Sequence, residues 1–137
     1  MKMLQKICFV LLLGTFPSVY GGNCWDKVPD VDDCRVRAKQ GDYLSQSILG
    51  NMYYNGLGVP QDYKESVKWW RLAAEQGHSS AQYNLGLRYY YGEGVLEDYV
   101  MAHMYWSVAA VSGSKSAIKG RDVIEGMIVI PPINNRS

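Results

Sequence analysis

Few side chains in this 137-residue chain combine the residue types and the spacing that chemistry needs. The two histidines, His78 and His103, have no second His, Cys or acid at metal-ligand spacing, so both read as surface residues. Two tetrads, "SGSK" (Ser112 to Lys115) and "SAIK" (Ser116 to Lys119), match Ser-x-x-Lys. In that motif a lysine one helical turn away activates a serine for acyl transfer. Neither tetrad has a Ser-Asp-Asn or Lys-Thr-Gly companion, and a four-residue pattern recurs by chance. "GLG" and "GEG" lack the flanking strand and the Lys-Ser/Thr of a phosphate loop. No catalytic residue, metal site or cofactor is assigned, and the chain reads as non-enzymatic.

The cysteines depend on what happens to the first residues. Lys2 and Lys6 flank the start of an apolar run, "ICFVLLL" (Ile7 to Leu13), and small residues follow at Ser18, Gly21 and Gly22. This is the pattern of a secretory signal peptide over 1–21, too short to span a bilayer, with Val19 and Gly21 in the small-residue positions before the cut. The protein is expected to be exported, periplasmic or secreted. Cys8 leaves with the leader; Cys24 and Cys34 remain and read as a disulfide tethering the N-terminal arm, worth about 2–3 kcal/mol. A lipid anchor on Cys24 fits less well, because "YGGN" lacks the usual Leu and a small residue directly ahead. The mature chain keeps 12 Lys and Arg against 13 Asp and Glu. That near-neutral balance gives no electrostatic reason to expect nucleic acid or an anionic membrane as partner. No membrane span is expected in the mature chain.

The elements that must position any site come from an internal repeat. Gly41–Gln76 aligns without gaps on Gly77–Ser112, and 14 of 36 positions are identical. The identities fall on glycine, aromatic and alanine positions, among them Leu49/Leu85, Gly50/Gly86, Tyr53/Tyr89, Tyr54/Tyr90 and Trp70/Trp106. Such self-similarity marks stacked supersecondary units. Each copy reads as two helices. Helix A of copy two spans about Ser79 to Tyr91, with Ser79 as N-cap, Gln82 three residues on, and Gly92 and Gly94 as the stop. Helix B starts at Asp98, or in copy one at "DYKE", where Asp62 and Glu65 make a capping box. Leu49 and Leu85 mark the buried centre, Tyr53 and Tyr89 are knobs on the buried face, and Val59 and Val95 pack inward. The segment 113–137 reads as a terminal cap. Ala117, Ile124, Met127 and Ile128 form its apolar stripe, Gly120 and Gly126 weaken it, and Pro131 and Pro132 end it.

"LGNMYYNGLGVPQDYKESVKWWRLAAEQG" and "LGLRYYYGEGV…DYVMAHMYWSVAAVSG" resemble Sel1-like repeats, relatives of tetratricopeptide repeats. The resemblance covers about Ala38 to Ala117. It implies an all-α fold, an α/α solenoid wound as a right-handed superhelix, and a scaffold role in protein–protein contacts. The implied organisation is an arm and partial repeat over 22–40, repeats over 41–76 and 77–112, and the cap. Ser45 and Ser66 stand where the family favours alanine. Arg121 and Asp122 replace the "LG" pair expected after Ala117.

The resemblance also implies that A helices line the concave side. Opposite Leu49 and Leu85, helix A of copy one carries Ser47, Asn51, Tyr54 and Asn55, and copy two carries Tyr83, Leu87, Tyr90 and Tyr91. Tyrosine offers apolar area and a hydroxyl at low entropy cost, so this face is the candidate surface for another protein or peptide, oriented by the asparagines and Arg88. The competing reading packs these tyrosines against the next repeat or the cap. Two other functions stay open: a β-lactam-interacting or cell-wall enzyme using a Ser-x-x-Lys tetrad, and a structural subunit of an envelope complex that makes contacts through the solenoid ends.

Overall fold

The hydrophobic period of the repeat folds into six helices, seen in a computed structural model that describes residue 24 and residues 30–127. The expected leader, Trp25, Ile128, the Pro131–Pro132 stop and the tail lie outside the described residues. In chain order the helices are α1 (Val31–Lys39), α2 (Tyr43–Asn55), α3 (Tyr63–Glu75), α4 (Ser79–Tyr91), α5 (Tyr99–Val111) and α6 (Lys115–Met127). Among the described residues there are no strands. The helices α2–α3 and α4–α5 are the two predicted hairpins, and each helix packs on the next in the chain. No helix is long and apolar enough to cross a membrane among the described residues.

Phase along the repeat explains both ends. The last residue of α1, Lys39, lies one repeat before Glu75, so α1 is a helix B of a preceding copy. Helix α6 begins and ends one repeat after α4, so the expected cap is helix A of a third copy. It also touches α4 directly. Cys24 and Cys34 form a disulfide that ties the arm to α1, and both are buried against Leu49 and Met52 of α2.

Local signals set most helix ends. Asp42, Asp62 and Asp98 each accept a hydrogen bond at 3.0 Å from the backbone N–H three residues on. This satisfies one of the N–H groups that a helix start leaves free. Two details differ from expectation. The N-cap of α4 is His78, which makes no side-chain cap bond, and Ser79 is the first helical residue. The capping box at α3 is half formed: the Asp62 N–H donates to the Tyr53 carbonyl at 2.8 Å. Glu65 is thereby left to pair with Lys68, also at 2.8 Å. Gly56 and Gly92 close α2 and α4 at φ 68° and 67°, where a side chain is strained.

Leu49 and Leu85 are fully buried, as are Ala73, Ala81, Ala109 and Ala117. Tyr53, Tyr89, Val59 and Val95 are half-buried and pack against these clusters. Ser45 and Ser66, at the positions of Ala81 and Ala102 in copy two, are both fully buried; the Ser45 hydroxyl donates to Asp42. Of the expected α6 stripe, Ala117 and Ile124 are buried, whereas Met127 is 57% exposed at the helix end. Ser47 is also buried, not on an open face.

Adjacent repeats are clamped by glutamine. Gln46 Nε2 donates to the Ala38 carbonyl at 3.0 Å, and Gln82 Nε2 donates to the Ala74 carbonyl at 3.1 Å. Each bond runs from a helix A to the C-terminal turn of the preceding helix B, onto a carbonyl that also accepts from the Gly41 or Gly77 N–H, at 3.1 Å and 2.9 Å. A buried polar side chain that meets such a carbonyl offsets its own desolvation.

Candidate functional site

The site is built around Trp106 of α5. Its indole lies against Gly86 of α4 so closely that a Cβ there would overlap the ring. On the other side, a Cβ on Gly120 of α6 would sit 2.7 Å from the six-membered ring. The indole N–H donates to the Tyr83 carbonyl at 3.1 Å. Gly120 therefore admits the tryptophan rather than merely weakening its helix. Tyr90 packs on Trp106 with centroids 5.6 Å apart and on Tyr99 at 5.4 Å. Tyr91 meets Tyr90 edge-on at 4.9 Å.

An open pocket of about 300 Å³ lies between α4 and α6. From α4, Tyr83, Leu87, Tyr90 and Tyr91 line it, and Trp106 contributes from α5. From α6 come Ser116, Lys119, Gly120 and Val123. Tyr91 is 60% exposed at the rim, while Tyr83, Leu87 and Tyr90 are half-buried and also pack against the α5–α6 core. These four residues of the predicted face are brought together. One side of Tyr83, Leu87 and Tyr90 packs on that core, and all four residues face the pocket.

The remaining predicted residues go elsewhere. Asn51 and Asn55 are exposed on α2; Asn51 accepts from Asn84 at 3.4 Å, and Asn55 donates to the Asn51 carbonyl at 2.8 Å. Tyr54 is half-buried against Trp70, centroids 5.7 Å apart. Arg88 is only 5% exposed, which removes it from any contact surface. Its guanidinium stacks over the Tyr54 ring at 4.1 Å and pairs with Glu93. The planar cation suits an aromatic face and a carboxylate together, so Arg88 joins repeat one to repeat two. The sequence holds a clue to this: copy two replaces Met52 and Leu57 by Arg88 and Glu93 at once.

The tetrads separate in the structure. Ser112 ends α5 and Lys115 begins α6, so the first is split across a turn. Ser116 and Lys119 share one turn of α6 and line the pocket, both exposed. His103 Nε2 lies 3.0 Å from Glu125 of α6. His78 packs against Tyr43 at a tilt, with centroids 5.3 Å apart, and partial burial lowers its pKa. No group of three or more His, Cys, Asp or Glu is placed to hold a metal ion among the described residues.

Sequence reasoning missed Trp106, Gly120 and Val123 as pocket residues. The repeat phase carries the signal: Lys119 and Val123 fall at the positions of Tyr83 and Leu87, on the face already singled out in copy two, and Gly120 falls at that of Asn84 beside them.

Stacked helical hairpins with an open side pocket define an all-α repeat solenoid. A family model for the Sel1 repeat matches residues 44–78 and 79–114. Among solved structures, a Sel1 repeat protein from Oxalobacter formigenes aligns at 36% identity and TM-score 0.66, over 68% of this chain and 70% of that one. A protective antigen present in uropathogenic Escherichia coli strains, displaying an SLR fold, aligns at 46% identity and TM-score 0.63 over 64% of this chain. This chain spans only 19% of that one. Cysteine rich protein B of Helicobacter pylori, at 21% identity and TM-score 0.62 over 65% and 67% of the two chains, shares the fold. No curated protein matches. The chain belongs to the Sel1 repeat family.

Proposed function

We propose that the protein is an exported, non-enzymatic scaffold that binds another protein or peptide through its helix-A face, centred on the pocket between α4 and α6. The convergence of Tyr83, Leu87, Tyr90 and Tyr91 on one open, largely aromatic cavity carries this reading. Aromatic side chains around a concave pocket are where interface energy concentrates. Export is supported by the leader pattern together with the Cys24–Cys34 disulfide, a bond that persists in oxidising compartments. The test is capture of partner proteins from the producing cell by the wild type and by a Tyr91→Ala, Leu87→Ala variant. Loss of capture with unchanged helical content supports the reading; retained capture by a folded variant moves the binding surface elsewhere.

One observation favours a second reading. Ser116 and Lys119, the "SAIK" tetrad, line the same pocket. A serine nucleophile needs its lysine held against it, and here both side chains are exposed. A labelled β-lactam that acylates the wild type but not Ser116→Ala would favour chemistry over docking.

A further inference from the structure

We propose that the pocket selects an acidic peptide segment, in which a bulky apolar side chain fills the cavity and a neighbouring carboxylate meets Lys119. This deepens the helix-A-face reading and rests on it.

Cavity and cation arise together at this junction. Between α2 and α4 the position of Gly120 is held by Asn84, which bridges to Asn51, and the position of Lys119 is held by Tyr83. One repeat on, a glycine and a lysine replace them. The glycine removes the side chain that bridges the earlier junction, and the buried Trp106 ring beneath it forms part of the pocket lining. At about 300 Å³ the cavity lies at the small end of ligand sites, about 300–1,000 Å³, a size for one large side chain rather than a cofactor.

Charge then decides what stands beside that side chain. Lys119 is the only charged residue lining the pocket, and Lys115 lies one turn before it on α6. Neither lysine makes an ion pair among the described residues. The acids of α6 are committed elsewhere: Asp122 and Glu125 pair with Arg121, and Glu125 also meets His103. The positive rim is therefore available to a carboxylate, and a basic segment is repelled.

The test uses the full chain, isotope-labelled, titrated with three blocked pentapeptides that carry phenylalanine followed by glutamate, glutamine or lysine. The glutamate peptide is expected to bind about threefold to fivefold more tightly than the glutamine peptide, as exposed ion pairs allow. Its shifts should centre on Tyr83, Trp106 and Gly120. In Lys119→Glu, an exposed change that leaves the remaining spectrum in place, the order inverts and the lysine peptide binds best. Equal binding of all three in the pocket overturns the acidic selectivity while leaving the helix-A-face reading intact. Absence of pocket shifts with every peptide overturns the inference itself, and the Tyr91 and Leu87 capture experiment then judges the parent reading separately.

Discussion

Gly120 of α6 faces Trp106 of α5 so closely that a single added methyl group would lie 2.7 Å from the indole ring. The same indole meets Gly86 on its other side. One tryptophan therefore joins two successive A helices and floors the pocket between them. The equivalent Trp70 lies against Gly50 in copy one, so the contact repeats with the sequence.

Glycines of one helix should respond in opposite ways. Gly120→Ala forces the buried Trp106 to shift, and overpacking of that kind costs about 1–3 kcal/mol. Gly126 has nothing within 4 Å of an added Cβ. Gly126→Ala should stabilise by up to about 1 kcal/mol, as helix propensity dictates. Urea denaturation of the two variants checks both signs.

The glutamine clamps predict a coupling between repeats. Gln82→Ala strips the Ala74 carbonyl of its side-chain donor and leaves it the Gly77 N–H at 2.9 Å, so the loss is one hydrogen bond, about 0.5–1.5 kcal/mol. Hydrogen exchange should then rise first in α4 and α5, which sit beyond the broken clamp. A variant with unchanged midpoint and exchange would show the clamp to be decorative.

Arg88 and Glu93 should behave as a unit. Glu93→Leu leaves a buried guanidinium without its carboxylate, a loss of at most about 3–5 kcal/mol. Arg88→Met leaves a carboxylate already 33% exposed and should cost less. The double change restores the residue types of copy one, Met52 and Leu57, and should cost less than the sum of the two. A double-mutant cycle on thermal stability measures that difference.

His78 occupies the N-cap position that Asp42 fills one repeat earlier. Partial burial lowers its pKa, so the folded state favours the neutral ring and the unfolded chain binds the proton first. Stability should therefore fall as pH drops through the ordinary histidine value near 6.5. His78→Asp should supply the missing cap, add about 0.5–2 kcal/mol at pH 7, and remove that slope. Denaturation midpoints at pH 5 and pH 7.5 for both proteins check the sign.

The hairpins were legible because glycine, alanine and aromatic residues recur at one phase, and a helix pair that nests against the next has little freedom at those positions. Leu49, Leu85, Tyr53, Asp62 and Asp98 could be placed on that basis. The pocket was half legible. Tyr83, Leu87, Tyr90 and Tyr91 share the expected face. The wall formed by Lys119, Gly120 and Val123 belongs to a segment whose "LG" pair is replaced by Arg121 and Asp122. Those charges sit where a following helix B would pack, so α6 keeps the position of a repeat helix while losing its signature. Arg88 was misplaced for a different reason. Its partner Glu93 is in the loop and its stacking surface, Tyr54, is on the previous repeat. Helical periodicity sees neither.

A partner docked at the α4–α6 pocket would lie within reach of Tyr91. A photo-crosslinking residue placed at Tyr91, 60% exposed on the pocket rim, tests it in the producing cell. The control is the same residue at Val108, 46% exposed on α5 and outside the pocket lining. Docking at the pocket gives a discrete crosslinked product from Tyr91 and none from Val108. A product from Val108 alone would contradict it.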